Sequence, residues 1–460
     1  MIHFTELSQI QNQALQSGKL QSISARKEHL KRLKTTIQEY EKDILTALKA
    51  DMGKGEFEAY SSEIGFVYQE IGDALKNLNK WAKPKRIFPS LSLFPSRAKI
   101  VNQPFGKTLI ISPWNYPFQL LLAPLVASIS AGNTSLLKPS ELTPHTSAVL
   151  VKIIEKCFPS DIVAIVEGDG RTLIPKIIED YRPNLIFFTG STQVGKIISQ
   201  QAANYLIPCI LELGGKSPCI VHKDADLEVA ARRIALGKFL NSGQTCVAPD
   251  YLLVHEDVQQ PFLDTFQKII QEFYYKNEHP FHSADYTQIV NPFHFNRLIK
   301  LLEGVSVVFG GSYNEAERKI EPTIVKADMN QPIMQEEIFG PILPIFSYKD
   351  SIEIDSIISH HPNPLSFYVF TRNDQFSENL TMKHSFGGGC INNTVMHLVD
   401  PKLPFGGIGY SGSGAYHGQW GFDAFSHKKS IVKTATWFDL KQKYPPYTKE
   451  SLKIIKWFLK

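Results

Sequence analysis

At 460 residues the chain exceeds what a single hydrophobic core supports, roughly 250–300 residues, so two or more domains are expected. Apolar residues make up 43% and charged residues 20%, an ordinary globular composition, and a formal net charge of +4 gives no concentrated basic face for nucleic acid. The five cysteines, Cys157, Cys209, Cys219, Cys246 and Cys390, are widely spread without a CxxC pair. That spacing argues against a disulfide framework and a thiolate zinc site, so no metal is expected, and it fits a reducing, cytoplasmic compartment.

The N-terminus has no basic start followed by an apolar run, so no secretory signal is expected. The first 85 residues read as helical, with apolar positions at helical spacing over residues 23–48. The Pro- and Ser-rich residues 84–96 read as a linker or exposed arm. From Lys107 onward short apolar runs alternate with helical segments: TLIIS and a helix after Pro117, NTSLLK and a helix after Pro144, IVAIVEG and a helix near Arg171, LIFFTG and a helix from Gln193. This alternation predicts a doubly wound parallel sheet. The longest apolar run, residues 117–131, is broken by Gln119 and Pro124 and falls short of the roughly 20 residues a membrane span requires. A second α/β series follows, including YLLVHE, PILPIFSY and SFYVFT, before a Gly- and Pro-rich region and a Lys-studded apolar end. Three pieces are expected: a nucleotide-binding domain (1–82 and 104–210), a catalytic domain (211–396), and a small bridging element with the tail (83–103 and 397–460).

Several strings carry chemistry. Gly407, Gly409 and Gly412 spell GxGxxG, but they follow LPF rather than a strand and open no βαβ unit, so close packing is the better reading. Gly190 to Lys196 resembles a phosphate loop, yet Ile197 stands where Ser or Thr would hold magnesium. Its strand-to-helix setting still suits a pyrophosphate on a helix N-terminus. Lys138 and Glu141 end another strand and could bond ribose hydroxyls. Cys246 lies in the polar string NSGQTCVAP, among backbone donors of the kind a reactive thiol needs, whereas the other four cysteines sit in or beside apolar runs and read as core. Glu212, between apolar neighbours, is either on an exposed strand end or buried for a reason. Asn115, between two prolines, could donate to an oxyanion or close a turn.

In order along nearly the whole chain, PWNYP, LLKPSE, FTGSTQVG, LELGGKSP, GQTC, EEIFGP and LPFGGIG resemble the aldehyde dehydrogenase superfamily. GQTCVAPDY, MHLVDPKLPFGG, GAYHG, FSHKKS and YPPY resemble its class 3 branch. The resemblance implies a Rossmann-like nucleotide-binding domain, an α/β catalytic domain and an oligomerisation element. It implies Cys246 as nucleophile, Asn115 as oxyanion amide and Glu212 as general base. It further implies Glu337 and Phe339 at the nicotinamide ribose and ring, Lys138 and Glu141 at the adenosine ribose, and Gly190, Ser191 and Gly195 at the pyrophosphate. The implied reaction is NAD-dependent oxidation of an aldehyde to the acid through a thioester, with NADP a second possible cofactor. The substrate class implied is medium- or long-chain aliphatic or aromatic aldehydes. The competing readings are a CoA-acylating or phosphorylating relative, which Glu212 opposes, and a non-enzymatic binding or structural protein, which the intact Cys246, Glu212 and Asn115 set opposes. Tyr116, Thr245, Ile391 and residues 396–398 are candidate tunnel walls. Departures are Ser191 for Asn in some members, and Gln419 and Gly421 for lysine and serine. A homodimer is implied. Lys449, Lys453, Lys456 and Lys460 fall on one helical face, so the tail either packs on the protein or its partner subunit, or makes a weak peripheral membrane contact.

Overall fold

A computed structural model describes residues 3–90, 93–276 and 278–458. The chain opens with helices α1 (Phe4–Gln16), α2 (Ile23–Glu39), α3 (Glu41–Met52), α4 (Glu56–Ala59) and α5 (Gly65–Trp81), with a π-helical turn, Tyr60–Ile64, joining the last two. The periodic stretch 23–48 is therefore two helices, broken at Tyr40. Ser22 caps α2, its hydroxyl accepting from the Ala25 amide, and left-handed Gly53 ends α3. The expected arm contains strand β1 (Lys85–Ile87), which pairs antiparallel with β2 (Ser96–Pro104). Residues 91 and 92 of that arm lie outside the described residues.

Next come β3 (Lys107–Ile111), α6 (Gln119–Ala131), β4 (Thr134–Lys138), α7 (Pro144–Cys157), β5 (Val163–Ile165), α8 (Gly170–Asp180), β6 (Leu185–Thr189), α9 (Thr192–Ala203) and β7 (Cys209–Glu212). Strands β3 to β6 are buried along their whole length, which is why they read as unbroken apolar runs rather than alternating ones. Helix α6 is buried on every side, in keeping with its all-round apolar sequence. The second series runs β8 (Pro218–Val221), α10 (Leu227–Phe239), β9 (Tyr251–His255), α11 (Gln259–Tyr274), α12 (Pro292–Lys300), β10 (Ser306–Phe309), β11 (Tyr313–Asn314), β12 (Lys319–Ile320) and β13 (Thr323–Lys326). It continues through β14 (Ile342–Tyr348), α13 (Ser351–Ser359), β15 (Ser366–Phe370), α14 (Asp374–Lys383) and β16 (Gly388–Ile391). The chain closes with β17 (Gly412–Ser413), α15 (Gly418–Ala424), β18 (Ser426–Thr434) and α16 (Lys449–Phe458).

One sheet has the order β17-β7-β6-β3-β4-β5, parallel except for β17. The chain runs outward from β3 to β5 and then returns to β6 on the other side of β3. This makes a switch point between β3 and β6, where ligands of doubly wound sheets bind beyond the carboxyl ends. The other sheet has the order β10-β13-β14-β9-β8-β15-β16, parallel from β13 to β16. Strand β18 lies along all nine residues of β2, completing a three-stranded antiparallel sheet. Strand β7 spans the expected boundary at 210/211.

The glycine string near the C-terminus packs as its context implied. A Cβ on Gly407 would stand 2.0 Å from the Ser411 carbonyl oxygen, and one on Gly412 2.1 Å from that of Leu211. In the tail, Leu452 and Ile455 of α16 are exposed, whereas Ser451 of the same helix is buried. Lys460 lies outside the described residues.

Candidate active site

The two large sheets meet so that opposite ends contribute. Loops after β3 and β6 leave the carboxyl ends of the first sheet. The segments preceding β8, β9 and β14 enter the amino ends of the second.

Helix α10 stops at Phe239, and Asn241, Ser242 and Gly243 then take left-handed conformations with φ of 52°, 50° and 72°. Such a run is costly for residues other than glycine and persists where surrounding contacts enforce it. Here the Gln244 side chain does so: its amide donates to the carbonyls of Asn241 at 3.0 Å and Gln288 at 3.1 Å, and accepts from the Val290 amide at 3.1 Å. Gly243 is required, because a Cβ there would lie 2.3 Å from the Gly340 carbonyl oxygen.

This turn delivers Cys246, which is half-buried rather than exposed as its polar string implied. Burial pushes its thiol well up, and the carboxylates of Glu337 and Glu212 push it further. The backbone amides of Cys246 and Val247 act in the opposite sense, favouring thiolate. The remaining cysteines divide: Cys157 and Cys219 are core, as expected, but Cys209 and Cys390 are half-buried. Cys390 lies on β16, the last strand of its sheet, and Cys209 opens β7 beyond the two-residue reach of β17; each packs against a core cluster, and the Cys390 thiol lies 3.6 Å from His397 Nδ1.

Glu212 ends β7 opposite Gly412 and is buried. Neither carboxylate oxygen has a hydrogen-bond partner, and burial holds the carboxyl well above its usual range. Asn115 follows β3. Its side-chain amide donates to the Gln244 carbonyl at 3.0 Å, fixing it to the cysteine loop, while its side-chain oxygen is buried without a partner. Tyr116 and Thr245, both buried, share a hydroxyl hydrogen bond of 2.7 Å in the same seam. Ile391 and Met396 are exposed.

The candidate cofactor residues gather along the carboxyl ends of the first sheet. Lys138 at the end of β4 is ion-paired with Glu141, which also accepts from the Gly170 amide at 3.2 Å. Burial raises the Glu141 carboxyl, but Lys138 and nearby backbone amides outweigh it and hold the group below its usual range. Ser191 caps α9, its hydroxyl accepting from the Val194 amide at 3.4 Å. Gly190 and Gly195 are closely approached: a Cβ would meet the tip of the Phe188 ring at 2.5 Å and of the Leu213 side chain at 2.7 Å, respectively. Glu337 lies against Gly214, where a Cβ would stand 2.0 Å from its carboxylate. Burial, reinforced by Asp250, pushes its carboxyl up to about 8 against the opposing Gly215 backbone, Lys216 and Arg297. Phe339 has φ 50° and sits edge-on to Trp114, ring centres 5.3 Å apart.

Sequence reasoning missed two residues here. The hydroxyls of Ser112, just past β3, and Thr189, the last residue of β6, are buried without hydrogen-bond partners. They flank the switch point, and that topology, rather than any motif, was the signal that could have found them. Orphaned hydroxyls beside a side-chain-free glycine turn and a capped helix N-terminus are the donor set a dinucleotide requires.

The sequence profile described as the Aldehyde dehydrogenase family matches residues 6–431. The 4,4'-diaponeurosporen-aldehyde dehydrogenase of Staphylococcus aureus is 47% identical over 95% of each chain. Aldehyde dehydrogenase family 3 member A2 of Mus musculus is 41% identical over 97% of this chain and 92% of its own. A solved structure described as the substrate-bound state of Staphylococcus aureus AldH superposes with a TM-score of 0.95 at 44% identity, covering both chains fully. The match in fold, order of elements and sequence over the full length has one reading: the chain belongs to the aldehyde dehydrogenase family, oxidoreductases acting on the aldehyde group, and resembles its class 3 branch.

Proposed function

We propose that the chain oxidises medium- or long-chain aliphatic or aromatic aldehydes to carboxylic acids, with Cys246 as nucleophile, Asn115 as oxyanion donor and Glu212 as general base. The observation that carries this reading is Glu212: a buried carboxylate with both oxygens unpartnered that bears electrostatically on the Cys246 thiol. An uncompensated carboxyl is costly to bury, and such groups concentrate at functional sites.

The Cys246 thiol, once deprotonated, attacks the aldehyde carbon. The resulting oxyanion lies within the donor set of the Asn115 amide and the Cys246 backbone N–H; losing one such donor typically costs about 3–4 kcal/mol. NAD or NADP, when bound, supplies the hydride acceptor. Glu337, Phe339, Ser112 and Thr189 would hold its nicotinamide end, Gly190, Ser191 and Gly195 its pyrophosphate, and Lys138 and Glu141 its adenosine ribose. Glu212 then takes a proton from the water that opens the Cys246 thioester, releasing acid. A glutamate in this place favours hydrolysis over acyl transfer to coenzyme A or phosphate. Lys138, paired to Glu141, offsets the repulsion a lone carboxylate would exert on a ribose 2′-phosphate, so both dinucleotides are accommodated.

The Staphylococcus aureus relative is named as a 4,4'-diaponeurosporen-aldehyde dehydrogenase, which supports an aldehyde as substrate. The three-part division at residues 82, 104, 210 and 396, cytoplasmic residence, a homodimer, and weak tail contact with membranes belong to the same reading. No helix among the described residues is long and apolar enough to cross a membrane.

The test is reduced-dinucleotide absorbance over short, long-chain and aromatic aldehydes with both cofactors, for the wild type and Cys246→Ala. Oxidation of long or aromatic aldehydes that vanishes in the variant while dinucleotide binding persists is the expected result. Turnover of more than a few per cent in Cys246→Ala would reassign the nucleophile.

A further inference from the structure

The Asn115 loop is gripped by residues the mechanism above leaves unused. Lys54 lies between α3 and α4, and Glu63 sits in the π-helical turn Tyr60–Ile64. Both side chains are 0% exposed and pair at 2.6 Å. Lys54 also donates to the backbone carbonyl of Asn115 at 2.8 Å. The second Glu63 oxygen accepts from the backbone amides of Phe118 at 3.1 Å and Gln119 at 3.0 Å, the entry to α6. One ion pair therefore holds residues 115–119 at both ends. The Asn241 side chain reaches the same Asn115 carbonyl at 3.0 Å from the cysteine loop, and Asn115 returns a bond to Gln244. The Lys54 ammonium also lies 4.2 Å from the centre of the Tyr116 ring.

A buried ion pair is a poor way to gain stability, because desolvation commonly offsets its Coulombic attraction and an apolar pair of similar volume serves as well. What this pair does that an apolar pair cannot is fix one carbonyl and two amides in direction. The π turn supports that reading, since such wide turns re-aim a side chain out of regular helical register. Rate is steeply sensitive to such placement: a displacement of about 1 Å in a reacting geometry costs on the order of a hundredfold.

We propose that Lys54 and Glu63 are positioning residues that set the Asn115 amide against the Cys246 loop, so that its free N–H meets the developing oxyanion. This rests on Asn115 being the oxyanion donor.

The experiment is a double-mutant cycle on the full chain, using Lys54→Met, Asn115→Ala and the two combined, with kcat, KM, the iodoacetamide alkylation rate of Cys246 and the thermal midpoint as readouts. Lys54→Met is expected to lower kcat about tenfold to a hundredfold, with KM and alkylation within about twofold. In the Asn115→Ala background the same substitution should leave kcat nearly unchanged, because its target is gone. A purely structural role would instead multiply the two losses, and that outcome overturns the proposal. If Lys54→Met does not fold, Lys54→Met with Glu63→Gln removes both charges and enters the same cycle. If Asn115→Ala alone leaves kcat within about twofold, the oxyanion assignment itself fails, and the positioning role falls with it by a separate readout.

Discussion

Glu212 and Cys246 act on each other through the low-dielectric seam, and pH exposes that coupling. A carboxyl raised above its ordinary value stays protonated, and is useless as a base, at every pH below the raised value. Steady-state turnover should therefore climb as pH rises through the raised range and be lost as pH falls back through it. The Glu337 carboxyl is also raised, to about 8, so a variant is needed to separate the two. Glu212→Gln should leave a burst of reduced dinucleotide followed by slow turnover, about a hundredfold or more below wild type, with the alkaline rise flattened. Stopped-flow absorbance across a pH series checks it, and loss of the burst together with the steady rate would remove Glu212 from the base role. These residues were legible because each sits in a short contiguous string whose polarity clashes with its surroundings. Lys54 and Glu63 were not: one is an ordinary charge in the connection between α3 and α4, the other in the π-helical turn, and their meaning comes from a loop more than fifty positions away. Cys209 and Cys390 pack against core clusters as their apolar runs implied but stay half-buried, because position within the sheet is something the local run does not record.

Among the elements, the parallel strands were the easiest to read, since strands covered on both faces become continuous apolar runs. The short β17 and the long pairing of β18 with β2 were not legible, because neither partner signals the other across more than two hundred residues. Helix α16 illustrates a periodicity that was readable while its destination was not. Lys449, Lys453 and Lys456 line one side, and the exposed Leu452 and Ile455 offer apolar surface. A short basic amphipathic helix of this kind lies in a membrane interface with marginal affinity, each surface lysine adding about 1 kcal/mol on anionic lipid. Full-length protein should co-sediment with anionic vesicles at low salt more than a version ending at Tyr447, and high salt should abolish the difference. Equal sedimentation would leave the helix with a packing role on its own chain or a partner subunit.

At the scale of the whole molecule, apolar surface concentrates on the small sheet and the region after it. Phe88 is 100% exposed, and Ile431, Val432, Trp437 and Phe438 are exposed on or just beyond β18. Strand β18 is also an edge strand, a ready template for another chain. A homodimer that covers this surface is expected, and light scattering at micromolar concentration should return twice the monomer mass. Ile431→Lys with Val432→Lys should shift the population to monomer; a wild-type monomer under the same conditions would sink the idea. The pairing of Glu212 with Gly412 has a consequence for biosynthesis. The strand carrying Glu212 leaves the ribosome first, and the cysteine loop soon after it. The backbone that closes the sheet edge beside Glu212, at Gly412, follows two hundred residues behind that strand. A chain still being made thus carries Cys246 before Glu212 is seated against Gly412, so competence under the proposed roles waits on the emergence of that distant strand.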